Sequence, residues 1–380
     1  MKARVAADLK EFNRMLVYRL VKSNASISRT EISRQLGLSV PTVIKIVEYF
    51  SGLGLIGDAG EGESALGRKP MLLSTCAKAA YAVGAEYDGV HLSVGLVDLA
   101  GKVISLRRSP VPPDLTLLLG SLLADEVEAL ISDSGIPLGM VKGIGVGVPG
   151  VVHVSGQYIS QAPLVGVEEK VEYRSMAARL CDRLGFPVHV TNDANAAALG
   201  ELSARGVGSG GDLIFVELGR GVGAGLVLDG RLREGPGCGA GEIGYMVFER
   251  NAGPPSLSDP GRPSLNSVGP GWLESSMDLA GFWAEVERNG SPDVETLRRV
   301  CHPLALALSN LCIALDVRNV VLGRAGKDRF GPALLDCLRR ELKRYCPMEV
   351  SCELSLAAEP GVVGAAGIAS DAWLETVCAG

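Results

Sequence analysis

Ser28 to Phe50 reads SRTEISRQLGLSVPTVIKIVEYF, and no other stretch narrows the possible folds as far. Ser28 followed three residues on by Glu31 predicts a capping box, in which serine oxygen and glutamate side chain each satisfy an orphan backbone N–H. Ile32 and Leu36 fall one turn apart and make an apolar stripe, which Gly37 can end in the left-handed conformation. Ser39 caps a second helix, and Pro41 is tolerated in its first turn. Val43, Val47 and Phe50 carry that helix's buried face at i, i+4, i+7. Two short helices joined by a glycine turn predict a helix-turn-helix whose second helix reads the major groove. An ordinary helical hairpin is the alternative.

The flanks favour the DNA-binding reading. Asn13–Val21 is an apolar-periodic helix, a strand begins within Leu53–Ile56, and Leu72 and Leu73 close another. Between the strands lies a glycine-rich loop ending in Arg68-Lys69-Pro70, so helix, helix, recognition helix and two-stranded wing predict a winged helix. Arg68 and Lys69 are placed for a minor groove or phosphates, or else are a solvated pair. The recognition helix presents Ser39, Val40, Pro41, Thr42, Ile44 and Lys45. Val40, Pro41 and Ile44 suit thymine methyls, and Thr42 and Lys45 suit a phosphate or base edge. Internal packing of Val40 and Ile44 is the alternative.

Charge divides the chain in the same place. Residues 1–75 hold 11 Lys and Arg against 7 Asp and Glu, whereas residues 76–380 hold 26 against 36. A basic head on an acidic body suits a head that meets phosphates. No uninterrupted apolar run approaches the roughly 18 residues of a membrane span, and the charged start MKARVAADLKEFNR predicts no signal peptide. Nine cysteines without a CxC or CxxC predict buried free thiols in the cytoplasm.

From Ala82 the pattern predicts strand, turn, strand, turn, strand, then a helix over Leu115–Ile131 and a buried strand ending in VGVPG. VHVTNDANAAALGE predicts a strand breaking into a helix at Asn192-Asp193. Two strands around ELGRGVGAG, a strand at Asn319–Leu322 and a last helix around Val362–Ala369 complete two α/β lobes facing a cleft.

At this point the residues resemble a known family. GIGVGVPG (143–150), TNDANAAALGE (191–201), ELGRGVGAG (217–225), GPGCGAGEIGY (235–245) and GWLES (271–275) are similar to the ROK family of repressors, open reading frames and sugar kinases. SRTEISRQLGLSVPTV with GRKP resembles the head of its regulators. The resemblance implies an N-terminal winged helix-turn-helix over 1–75 and an α/β actin-like (ribonuclease H-like) two-lobe ROK domain over 76–380. Lobe one covers about 76–195 plus 364–380, and lobe two about 196–363.

The departures from the family pattern matter most. Kinases of the family hold ATP on D-x-G-G-T, and Glu86, Asp88, Gly89 and Val90 stand there. A threonine of the second phosphate loop is Arg220, and a later Gly-Gly pair is Gly323-Arg324. Arg220 either neutralises Asp88 or meets a sugar phosphate. The family's zinc ligands align with Tyr245, Leu265, Ser267 and Trp272, which implies no zinc. Residues 250–275 are then expected to be mobile. The sugar side is better kept, implying that Asn192, Asp193, Glu242, Tyr245 and Glu274 bind a sugar, with Leu164 replacing an asparagine. The alternatives are that Asn192-Asp193 cap a helix and that Glu242 serves a salt bridge.

The reading is a cytoplasmic, sugar-responsive repressor with no enzyme activity, no cofactor, no metal and no membrane partner. Its partners are operator DNA and a sugar effector, and it forms a homodimer or homotetramer. The rivals are an active sugar kinase and a DNA-binding scaffold without a small-molecule effector.

Overall fold

The computed structural model describes residues 2–61, 71–206, 211–246, 273–323 and 329–380. Its head begins with helix α1 (Lys2–Lys22), about three turns longer than the apolar periodicity of Asn13–Val21 marks. Strand β1 (Ile27–Ser28) precedes α2 (Arg29–Leu36) and α3 (Val40–Gly52). Ser28 and Ser39 cap these helices by accepting from the N–H groups of Glu31 and Thr42, at 3.2 and 3.3 Å. Gly37 makes the turn at φ 65°. Only half of the expected capping box forms, because Glu31 turns its carboxylate outward to Arg34 and Gln35. Val43, Val47 and Phe50 are buried against Val17, Tyr18, Val21 and Ile32.

The wing also differs from the expectation. Leu53 closes α3 and Leu55 enters the core, so strand β2 begins at Ile56 and runs to Glu61. It pairs antiparallel with β3 (Met71–Thr75), and β3 pairs with β1, which makes three strands rather than two. Arg68 and Lys69 lie outside the described residues.

Beyond the head, β4 (Tyr81–Tyr87), β5 (His91–Asp98) and β6 (Val103–Pro110) form an antiparallel meander. Helix α4 (Leu115–Leu117) passes through a π turn into α5 (Leu123–Ser134). β7 (Val141–Val148) lies parallel to β4. A small sheet follows from β8 (Val151–His153), β9 (Tyr158–Ala162) and β10 (Val167–Glu172). Helix α6 (Arg174–Leu184) and β11 (Val188–Asn192) complete a sheet of order β11-β7-β4-β5-β6. Its central strand β4 is buried along its whole length, as both faces are covered, while the edge strand β6 alternates.

The second half repeats the plan. It holds α7 (Asp193–Arg205), β12 (Leu213–Leu218), β13 (Val222–Leu228) and β14 (Arg231–Leu232). Then come α8 (Leu273–Ser276), α9 (Leu279–Asn289), α10 (Val294–Leu315) and β15 (Asn319–Leu322). Helix α11 (Gly331–Tyr345), β16 (Ser351–Leu354) and α12 (Pro360–Ala379) close the chain, and the sheet runs β14-β13-β12-β15-β16.

Helix α12 is far longer than the expected Val362–Ala369, and it touches the head, α7 and the first sheet. At its first turns a Cβ on Gly364 would overlap the Ala196 carbonyl of α7, and one on Gly200 would overlap the Pro360 carbonyl. Gly84 of β4 and Gly145 of β7 likewise admit the carbonyls of Val362 and Ala365. These glycines let the helix lie at backbone contact on sheet and helix alike. Its far end places Leu374 and Cys378 in the core of the head. Among the described residues α12 is the one helix with the length and hydropathy of a membrane span, and here it is a core helix. The loop entering it is held by the buried Glu201 of α7, which accepts from the N–H groups of Leu356 and Ala357 and from the Ser355 hydroxyl.

Candidate effector cleft and DNA-reading head

The carboxyl ends of β7 and β11 open towards the second half of the chain, the usual place for a ligand beside parallel strands. Asn192 ends β11 and is committed to the fold. Its Oδ1 accepts from the Asn195 N–H at 2.9 Å and caps α7, and its Nδ2 donates to the Gly150 carbonyl at 3.0 Å. One amide hydrogen is left for a ligand. Asp193 stands in the first turn of α7, close against Gly147 of β7.

Across the cleft, Gly241 (φ 93°) folds the chain back onto β13, its carbonyl accepting from the Ala224 N–H at 2.9 Å. The next residue, Glu242, leads into a short 3₁₀ turn ending at Tyr245. Glu274 rides on α8, whose first residue Leu273 donates to the Met246 carbonyl at 2.8 Å. Its carboxylate occupies a slot between two glycines. A Cβ on Gly221 would stand 2.9 Å from Glu274 Oε1, and one on Gly244 would stand 3.2 Å from Oε2.

Electrostatics tie these groups together. Burial pushes the Glu242 carboxyl up to about 7, and the nearby charges of Asp193 and Glu274 push in the same direction. Burial also raises Glu274 and Tyr245, the tyrosine further raised by Glu242 and Glu274. Three carboxylates and one phenol thus converge from both halves. Ionised carboxylates only accept hydrogen bonds, and a phenol donates one, so the set suits a ligand rich in hydroxyls. Leu164, on the 3₁₀ turn Pro163–Val165, reaches across to Gly221 and adds an apolar wall.

The residues standing at the nucleotide positions serve the fold. Asp88 Oδ1 accepts from the N–H groups of Val90 and His91, at 2.9 and 2.7 Å, and so shapes the turn between β4 and β5. Glu86 lies buried beneath the first turn of α12, against Gly361. Arg220 is exposed at the tip of the β12–β13 turn. Arg324, Leu265, Ser267, Trp272 and most of 250–275 lie outside the described residues. Among the described residues no group of three or more His, Cys, Asp or Glu is arranged to hold a metal.

On the head, Val40 (40% exposed), Pro41 and Lys45 point to solvent and Ile44 is half-buried, so internal packing of Val40 does not hold. The hydroxyls of Ser39 and Thr42 pair at 2.8 Å. Two residues escaped the sequence reading. Tyr49 of α3 donates to the Val377 carbonyl at 2.5 Å, and the buried Arg14 of α1 donates to the Cys378 carbonyl at 2.8 Å. The Arg14 guanidinium also lies 3.6 Å from the centre of the Tyr49 ring. A cation and a hydroxyl thereby satisfy carbonyls at the negative end of α12. Arg14, a cation at the edge of the apolar-periodic Asn13–Val21, was the signal available for the first of these contacts on α1.

Known proteins share this organisation. Residues 82–257 match the ROK family. The chain is 31% identical over 242 residues to a xylose repressor of Caldicellulosiruptor bescii, covering 63% of this chain and 59% of that protein. It therefore spans about three fifths of that relative's length. The structure superposes on a ROK family transcriptional regulator, a homologue of the E. coli MLC protein, with TM-score 0.72 at 18% identity, covering 98% and 99% of the two chains. A ROK glucokinase from Streptomyces griseus, solved with glucose and AMPPNP, superposes with TM-score 0.59 at 22% identity, over 77% of this chain and all of the kinase. Residues 82–257 thus resemble the ROK family in sequence, and the winged head and doubled α/β body share the fold of a ROK family transcriptional regulator.

Proposed function

We propose that this protein is a transcriptional regulator, a repressor, whose hold on operator DNA changes when a sugar or sugar derivative occupies the cleft. The observation that carries this reading is α12. Its first turns are locked to α7, the helix that presents Asp193, and its last turn is hydrogen-bonded to the recognition helix. A ligand that draws Glu242 and Glu274 towards Asp193 shifts α7 against the first sheet, and α12 carries the shift to the head. The xylose repressor's name supports a sugar as effector.

In this reading Asp193, Glu242 and Glu274 accept from effector hydroxyls, Tyr245 donates, and Asn192 mainly shapes the site. Ser39, Val40, Pro41, Thr42, Ile44 and Lys45 face the operator, with Arg68 and Lys69 from the wing. The head is assigned to 1–75 and the effector-binding body to 76–380, with lobes of about 76–195 plus 364–380 and 196–363. The protein works in the cytoplasm as an even-numbered oligomer, since a two-fold operator calls for paired heads. Kinase activity is absent in this proposal, because Asp88 and Val90 build a turn where the family's phosphate loop stands, and Arg220 replaces its threonine.

The test is selection of genomic DNA fragments by the purified protein. Competition then follows with pentoses, hexoses, amino sugars and their phosphates. A two-fold sequence released by one sugar class supports the proposal. Absence of sequence-selective retention overturns it, and ATP-dependent phosphorylation of a sugar overturns the non-enzymatic part.

A further inference from the structure

Between α1 and the recognition helix runs a groove of about 400 Å³, lined by Leu9, Lys10, Asn13 and Arg14 on one side and Thr42, Lys45 and Ile46 on the other. Two of the lining residues, Thr42 and Lys45, belong to the surface assigned to operator DNA. Leu9, Lys10, Asn13 and Arg14 come from α1, a helix with no assigned role there. Arg14 is engaged with the end of α12, and Leu9 and Ile46 supply apolar wall. Lys10, Asn13 and Lys45 remain as polar groups, and among the described residues neither lysine forms an ion pair.

Over Asp8–Arg14 of α1, charge is sorted about this groove. At 100° per residue, Leu9, Lys10, Asn13 and Arg14 fall within an arc of about 140°. Asp8 and Glu11, the only acids of the helix, fall outside that arc. Lys10 and Leu9 are exposed, so one cation of this arc, Lys10, is open to solvent. Lys10 and Lys45, on facing walls beside a helix that enters the major groove, lie where the sugar-phosphate backbone flanking that groove passes.

We propose that Lys10 and Asn13 form a second DNA-contact line with Lys45, seating backbone phosphates of the operator in the groove between α1 and α3. The contacts are independent of sequence and fix the angle at which α3 enters the DNA. This inference rests on the DNA-binding reading above and extends it to a helix that packs behind the reading head.

The experiment uses the full-length protein and the operator fragment recovered by selection. Operator affinity is measured from 0.05 to 0.3 M salt for the unmodified protein, Lys10→Ala, Asn13→Ala and, as the opposite-face control, Asp8→Ala. Each lost phosphate contact lowers the slope of log affinity against log salt by about 0.9, which is about eightfold in affinity between 1 M and 0.1 M salt. The expected result is that Lys10→Ala lowers the slope and Asp8→Ala does not, with sequence preference unchanged in both. Phosphate ethylation interference with Lys10→Ala is expected to lose phosphates beyond the base-contact footprint. A Lys10→Ala slope equal to that of the unmodified protein overturns the inference and leaves the regulator reading standing. Failure of the unmodified protein to bind any operator overturns both.

Discussion

The Tyr49 hydroxyl donates to the backbone carbonyl of Val377, 328 residues away in sequence, and ties the recognition helix to the final turns of α12. A single hydrogen bond of this kind contributes about 1 kcal/mol, too little to hold the head folded but enough to bias its orientation. Tyr49→Phe is therefore expected to keep operator affinity within about threefold while weakening release by effector. Binding titrations with and without the active sugar check this. An unchanged response to the sugar excludes the tie as a coupling element.

Glu242 supplies a pH dependence. Its carboxyl sits at about 7 in the folded protein and near the ordinary 4.5 when unfolded. The folded state therefore holds an extra proton between these values. The group's stabilising contribution is full below about 4.5 and is lost as pH rises through about 7. Glu242→Gln is expected to flatten that decline in thermal midpoint. Effector hydroxyls bond best to the ionised form, whose fraction rises about tenfold from pH 6 to pH 8 for a group titrating at about 7. Affinity of the unmodified protein is expected to follow that rise, and that of Glu242→Gln to be low and flat.

Gly221 leaves room for the Glu274 carboxylate. In Gly221→Ala the new methyl stands 2.9 Å from Oε1, and the obstacle is the end of a flexible side chain. The fold is expected to lose less than about 1 kcal/mol, while the carboxylate shifts and effector affinity falls about tenfold. Calorimetric titration beside a thermal melt separates the two effects.

Two glycines of α12, one turn apart, are expected to respond with opposite sign. Gly364→Ala forces a methyl into the backbone of α7 at Ala196 and is expected to destabilise by about 3 kcal/mol. Gly367→Ala meets open space and removes a flexible residue from a helix, which is expected to stabilise by about 0.5–1 kcal/mol. Denaturant melts of both variants check the crossing of α7 and α12.

Much of this was legible in the sequence because it rests on local patterns. Ser28, Gly37 and Ser39 mark helix ends by their own chemistry, and Val43, Val47 and Phe50 share a face at helical spacing. Asn319–Leu322 forms the strand that its short apolar run predicts. Other features depend on partners far along the chain. Glu31 could not be known to prefer Arg34 and Gln35 over its reciprocal cap, and Asn192 could not be known to spend its amide on Gly150. The length of α12 was hidden for a related reason. Its glycines and alanines weaken the helical signal locally, yet they are what allow backbone contact with α7 and the first sheet. The gathering of Asp193, Glu242 and Glu274 came from family resemblance, as residues up to 81 positions apart carry no spacing signal.

Helix α12 is also synthesised after every element it touches. The head's core lacks Leu374 and Cys378, and the first sheet lacks its covering helix, until that segment has left the ribosome. One late segment therefore completes the packing of both the head and the first sheet. A product of premature termination therefore exposes apolar surface in both places and is open to proteolytic clearance. In the proposed regulator, the order of synthesis thus places the link between operator-binding head and effector-binding body last of all.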